Sequence, residues 1–128
     1  MQEQKAKKSK TILAVDDERQ IRSMLSQYLT QQGFRVELAS NGRDASRCLK
    51  RINPDLIILD VVMPLMDGFK FLQYLKSSVK YSRIPVIMLT DKSEPKNVEK
   101  GISFAADFYL PKPCTLDNLL NFIRLSLE

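Results

Sequence analysis

Four short runs of apolar residues, each ended by a polar or proline-rich step, punctuate this chain. Thr11 to Val15 ends at Asp16-Asp17, Leu56 to Leu59 at Asp60, and Val86 to Leu89 at Thr90. Phe108-Tyr109-Leu110 is broken by Pro111-Lys112-Pro113. Unbroken apolar runs of this length predict strands buried on both faces. A fifth run differs. Phe34, Val36 and Leu38 alternate with Arg35 and Glu37, so one face is wet and the strand belongs at a sheet edge.

Between the strands the period becomes helical. Ile21, Leu25, Tyr28 and Leu29 form one stripe, with Asp17 as the expected N-cap and Gln20 at the capping-box position. Gly33 stops that helix. Asn41-Gly42 turns into a second helix with Ala45, Leu49 and Ile52 inward, ended by Asn53-Pro54. Asp67 is the expected cap of a third, which carries Phe71, Leu72 and Leu75. Pro95 suits the first turn of a fourth, with Val98, Ile102 and Ala105 inward. Leu116, Leu119, Leu120, Ile123 and Leu127 mark a fifth. Five strands alternating with five helices predict an α/β fold with a parallel sheet.

Composition narrows the chemistry. At 128 residues this is one domain, able to bury roughly two-thirds of its unfolded surface. The net charge is +5, but Lys5, Lys7, Lys8 and Lys10 against Glu3 carry +3 of it. Residues 1–10 are therefore read as a disordered Lys-rich tail and residues 11–128 as the domain. The remaining +2 is no nucleic-acid footprint, and no direct DNA binding is expected. There is no histidine, which removes Ser-His-Asp and Cys-His catalysis and His-ligated zinc. Any metal must be held by oxygen, which suits magnesium. No stretch approaches the roughly 20 apolar residues of a membrane span, and no secretory segment follows Met1. With only Cys48 and Cys114, the expectation is free thiols in a reducing cytoplasm. The Leu127-Glu128 ending leaves room for a chain cut from a longer one.

Ligands of open α/β sheets bind outside the carboxyl ends of the strands. Asp16, Asp17, Asp60, Thr90 and Lys112 stand there. Singly, each has a bland explanation: a helix cap, a strand exit, a backbone-bonded hydroxyl, a solvated loop lysine. Such residues ending four different strands call for another account. Neighbouring carboxylates repel and raise one another's pKa, and a divalent cation relieves this. Asp60 is then a plausible nucleophile through an aspartyl-phosphate. Thr90 and Lys112 supply donors for phosphoryl oxygens.

With Val15-Asp16-Asp17-Glu18, Pro54-Asp55-Leu56-Ile57-Ile58-Leu59-Asp60, Met63-Pro64-Leu65-Met66-Asp67-Gly68, Leu89-Thr90 and Tyr109-Leu110-Pro111-Lys112-Pro113, the chain resembles the receiver domain of bacterial two-component response regulators. The likeness to the single-domain chemotaxis type covers nearly everything after the Lys-rich start. It implies a flavodoxin-like sheet of order 2-1-3-4-5. It implies Asp60 as acceptor of a phosphoryl group from a sensor histidine kinase or a histidine phosphotransfer protein. Asp17 would ligate Mg²⁺ (or Mn²⁺) directly, Asp16 through water, and Val62 through its backbone carbonyl, beside Asp60. Thr90 and Lys112 would hold the phosphoryl group, and Lys112-Pro113 would be cis. Tyr109 matches the switch aromatic that follows Thr90. The readout surface would be the fourth helix, last strand and fifth helix, facing an unnamed protein target or a second copy in a phosphorylation-dependent homodimer.

The chain departs from that family at several positions. Asp91 replaces a small residue after Thr90, and its charge is expected to oppose the incoming group. Val62 and Lys92 occupy the positions that tune hydrolysis, and Val62 cannot orient a water through its side chain, so autodephosphorylation is expected to be slow. Ala105 stands where a helix-ending glycine is usual, and Cys114 replaces an aromatic. A small hydrophobe is the better account of Cys114 than a redox group. The leading reading is a signalling domain and not an enzyme, whether free, within a phosphorelay or excised from a longer regulator. An aspartyl-phosphate phosphohydrolase is disfavoured by Val62, where a second acid would be needed. A flavin module is disfavoured by Asp16-Asp17-Glu18, which repels phosphate.

Overall fold

The computed structural model describes residues 9–60, 68–90, 106–111 and 114–128, with Thr90 described through its backbone. Strands β1 (Thr11–Val15), β2 (Arg35–Ala39), β3 (Leu56–Asp60), β4 (Val86–Thr90) and β5 (Phe108–Pro111) form one sheet of order β2-β1-β3-β4-β5. Every neighbouring pair is parallel. Four helices lie among the described residues: α1 (Arg19–Gln31), α2 (Gly42–Leu49), α3 (Gly68–Lys76) and α4 (Leu116–Leu127). The last, α4, is the fifth helix of the sequence expectation. The expected fourth, from Pro95 through Ala105, and the expected Asp67 cap lie outside the described residues.

Alternation along the central strands builds two cores. Leu13, Val15, Ile57, Leu59, Val86 and Met88 point to one layer, which α2 and α3 close with Ala45, Leu49, Phe71, Leu72 and Leu75. Ile12, Ala14, Leu56, Ile58, Ile87 and Leu89 point to the other, closed by Leu25 and Leu29 of α1 and Leu119 and Ile123 of α4. Each buried Leu or Ile contributes about 1.5–3 kcal/mol relative to exposure. β3 is buried at all five positions, as its apolar run predicts, and β2 lies at the edge its alternation predicts.

Two helix ends show what local chemistry does. After α1 the Gly33 N–H donates to the Thr30 carbonyl and the Phe34 N–H to that of Leu29. This closure needs the left-handed backbone that Gly33 adopts at φ +98. At α2 the Asn41 side chain accepts from the Asp44 N–H (2.8 Å), while Asp44 accepts from the Ser40 N–H (3.0 Å). α2 ends at Leu49, a turn sooner than expected, and Ile52 packs on the core from beyond the helix.

The start of α1 corrects the sequence reading. Glu18, and not Asp17, occupies the N-cap position, and its side chain makes no capping bond. The Glu18 N–H is taken instead by Asp16 Oδ1 (2.9 Å). The carboxylate one step earlier does the capping work, so Asp17 and Glu18 are left facing outward.

Candidate functional site

Val15 of β1 pairs with Leu59 of β3. The next residue on each strand is an aspartate, so Asp16 and Asp60 leave neighbouring parallel strands at one level. They are the buried charged residues among the described positions, at 2% and 4% exposure. Burying carboxylates beside each other is costly unless charge or hydrogen bonds compensate.

Asp16 is fixed on three sides. Its N–H donates to the Ala39 carbonyl of β2 (3.0 Å). Its Oδ1 accepts from Glu18, and its carbonyl accepts from Arg22 Nη1 (2.8 Å). Arg22 reaches back from the first turn of α1, tying the helix to the strand end. The turn between them gathers acids: Asp16, Asp17 and Glu18 each offer a carboxylate oxygen, all within 4.8 Å of one another. Asp16 is buried, and the other two face solvent. Such an all-oxygen, open group suits a hard divalent cation that keeps part of its water shell. Glu18 was not among the expected ligands. The triplet Asp16-Asp17-Glu18 was visible, but only the short helix entry brings the third acid into reach.

Thr90 ends β4, where Leu89 pairs with Asp60 and Thr90 with Pro111. Its backbone therefore lies at the same sheet edge as Asp60. Val62, Asp91, Lys92, Lys112, Ala105 and the Lys112-Pro113 peptide lie outside the described residues.

Tyr109 of β5 is half-buried and packs against the α2–α3 core layer. Its hydroxyl oxygen is shielded from solvent. Its ring stacks on Phe69 of α3, with centroids 6.4 Å apart and planes at 21°. Sequence reasoning placed Tyr109 but missed Phe69, because a contact forty residues apart leaves no periodic signal.

Both cysteines are unbridged. Burial pushes both thiols up, with Asp44 adding to the effect at Cys48. Thiolate is correspondingly scarce at neutral pH, which fits a packing role better than a redox one. Cys114 is only half-buried, packed on the α1–α4 core layer.

Comparison with known proteins gives one picture. Residues 12–124 match the family described as response regulator receiver domain. The chain is 40% identical to "Response regulator MprA" of Mycobacterium leprae over 117 residues, which are 91% of this chain and 50% of that protein. It is 37% identical to "Transcriptional regulatory protein GltR" of Pseudomonas aeruginosa, over 93% of this chain and 49% of that one. The chain thus spans about half the length of these curated relatives. Among solved structures, the chemotaxis protein CheY4 of Vibrio cholerae superposes with a TM-score of 0.88 at 35% identity, covering 94% of this chain and 100% of that one. The signal receiver domain of a signal transduction histidine kinase from Syntrophus aciditrophicus gives 0.87 at 37%, covering 93% and 90%. Among the described residues no helix is long and apolar enough to cross a membrane.

Proposed function

The chain belongs to the response regulator receiver domain family, and from that premise we propose that it takes a phosphoryl group onto Asp60 in a two-component system. The observation that carries this reading is that Asp16 and Asp60, both buried, follow the paired residues Val15 and Leu59 at the ends of adjacent strands, Asp16 opening the acidic turn of Asp17 and Glu18. A buried carboxylate at that spot has a use as a nucleophile.

The donor is a phosphohistidine of a sensor kinase or of a phosphotransfer protein. A carboxylate oxygen of Asp60 attacks phosphorus, the O–P bond forms as the P–N bond breaks, and the imidazole nitrogen leaves with the electron pair. Asp16, Asp17 and Asp60, with the Val62 carbonyl, would hold Mg²⁺ (or Mn²⁺), and Glu18 offers a further carboxylate in the same turn. A divalent ion held there would offset the mutual repulsion of the carboxylates and the charge of the incoming group. Arg22 and the Ala39 carbonyl keep Asp16 in place while this happens. Thr90 donates its hydroxyl to one phosphoryl oxygen and Lys112 its ammonium to another. Those contacts exist only in the phosphorylated state, so they shift the population of the switch at Tyr109. Val62, Asp91 and Lys92 set how fast the group arrives and is lost. The surface from the expected fourth helix through β5 to α4 then meets a protein target or a second copy. One relative is named a transcriptional regulatory protein, so transcriptional output fits this reading, and the cytoplasm is the fitting compartment.

The test is intact-mass measurement after incubation with a small phosphodonor. Wild type should gain one phosphoryl group with Mg²⁺ and none with a chelator, and Asp60→Asn should gain none. Equal labelling of Asp60→Asn would overturn the assignment.

A further inference from the structure

β5 is joined to α3 at two levels. Near the site Phe69, in the first turn of α3, stacks on Tyr109 at 6.4 Å. At the far end Lys76, in the last turn, pairs with Asp107 at 3.7 Å. Asp107 in turn accepts from the Val86 N–H at 2.7 Å, so the entries of β4 and β5 share one anchor. α3 follows Asp60 by a single short segment, residues 61–67. The helix that leaves the acceptor strand is thus yoked to the strand that carries Tyr109.

We propose that Phe69 is a positioning residue for Tyr109, and that its ring holds the tyrosine inward against the α2–α3 core layer. This rests on the reading of Tyr109 as the switch aromatic. Phe69 is itself nearly buried, at 6% exposure, and belongs to the same core layer as Phe71 and Leu72, which anchors its ring on the helix side. The near-parallel rings at this separation are in the range where aromatic pairs attract beyond simple area burial. Outward movement of Tyr109 must give up that stacking. The inward population is therefore set from α3 as well as from Thr90, by about two- to tenfold for a pair of this kind.

The experiment reads the χ1 rotamer of Tyr109 from three-bond couplings in isotopically labelled protein. Phe69→Leu should raise the outward population by about two- to tenfold, and Phe69→Tyr, which keeps a ring, should restore the wild-type value. Lys76→Met serves as a control, since it loosens the far end of the yoke and should leave the Tyr109 rotamer in place. Unchanged couplings in Phe69→Leu overturn the proposal. So does the absence of ring-to-ring cross-relaxation between Phe69 and Tyr109 in wild type, a measurement that needs no variant. Intact-mass labelling of the same samples separates the two readings. If wild type takes no phosphoryl group, or takes it without any change at Tyr109, the acceptor or switch reading fails, while the role of Phe69 is still decided by the couplings.

Discussion

Tyr28 Oη donates to Asp117 Oδ1 across 2.6 Å, an exposed bond that bridges α1 and α4. The bond to that carboxylate, with burial second, holds the Tyr28 phenol above its ordinary pKa. A raised folded-state value means the bond's stabilisation is complete below the unfolded pKa, about 10. It is lost as pH rises through the folded value. Urea midpoints of wild type and Tyr28→Phe should therefore differ at pH 8 and converge as pH climbs past 10. A difference that widens with pH would reverse the assignment.

Lys76 makes a second prediction. It is largely sheltered, and Nζ donates to the Ser82 and Ile84 carbonyls (3.3 and 3.0 Å) beside Asp107. Lys76→Met removes both donors and should cost about 1–3 kcal/mol in urea unfolding. Asp107→Asn keeps an oxygen for the Val86 N–H and loses only a partly exposed ion pair, so its cost should stay below about 1 kcal/mol.

Ile58 sits in the middle of β3, between Ala14 and Ile87 on the neighbouring strands. It is almost fully buried, in the core layer closed by α1 and α4. Ile58→Ala should lower unfolding free energy by about 2–5 kcal/mol. Because Asp60 lies two residues on and faces the same way along the strand, phosphodonor labelling should also slow. Chemical denaturation and intact mass check the two effects separately.

Val62 supplies a prediction about lifetime. With no side-chain oxygen to steer a water, the phosphorylated form should decay slowly, and Val62→Asn should shorten its half-life. The loss of label after removal of donor measures this directly.

Much of the architecture could be read from the chain. Leu56 to Leu59 and Val86 to Leu89 are apolar throughout because each is covered by helices on both faces, and β2 alternates because it is an edge. Gly33 announced its own left-handed turn. The start of α1 departs from its sequence pattern for a physical reason. Asp17 looks like the cap residue, but Asp16, anchored through Ala39 and Arg22, takes the Glu18 N–H. Propensity sees the residue type and not the neighbouring strand that decides which carboxylate turns inward. The contacts of Tyr109 with Phe69 and of Lys76 with Asp107 join distant segments, so no window of sequence contains them. The acidic turn was legible as a motif, yet the participation of Glu18 depends on how tightly the chain bends after β1.

The strand order has a consequence for synthesis. β1 is paired on one side by β2, its successor in the chain, and on the other by β3, which comes later. A nascent chain that has left the ribosome only as far as α2 can close the first pair, while the flank of β1 destined for β3 stays bare and apolar. That bare flank is a template for wrong partners until Leu56 to Leu59 emerge. Translation pauses that hold the chain with Leu49 outside the ribosome and Leu56 still inside its exit tunnel should thus raise misassembly and chaperone demand more than pauses that come once Asp60 has emerged.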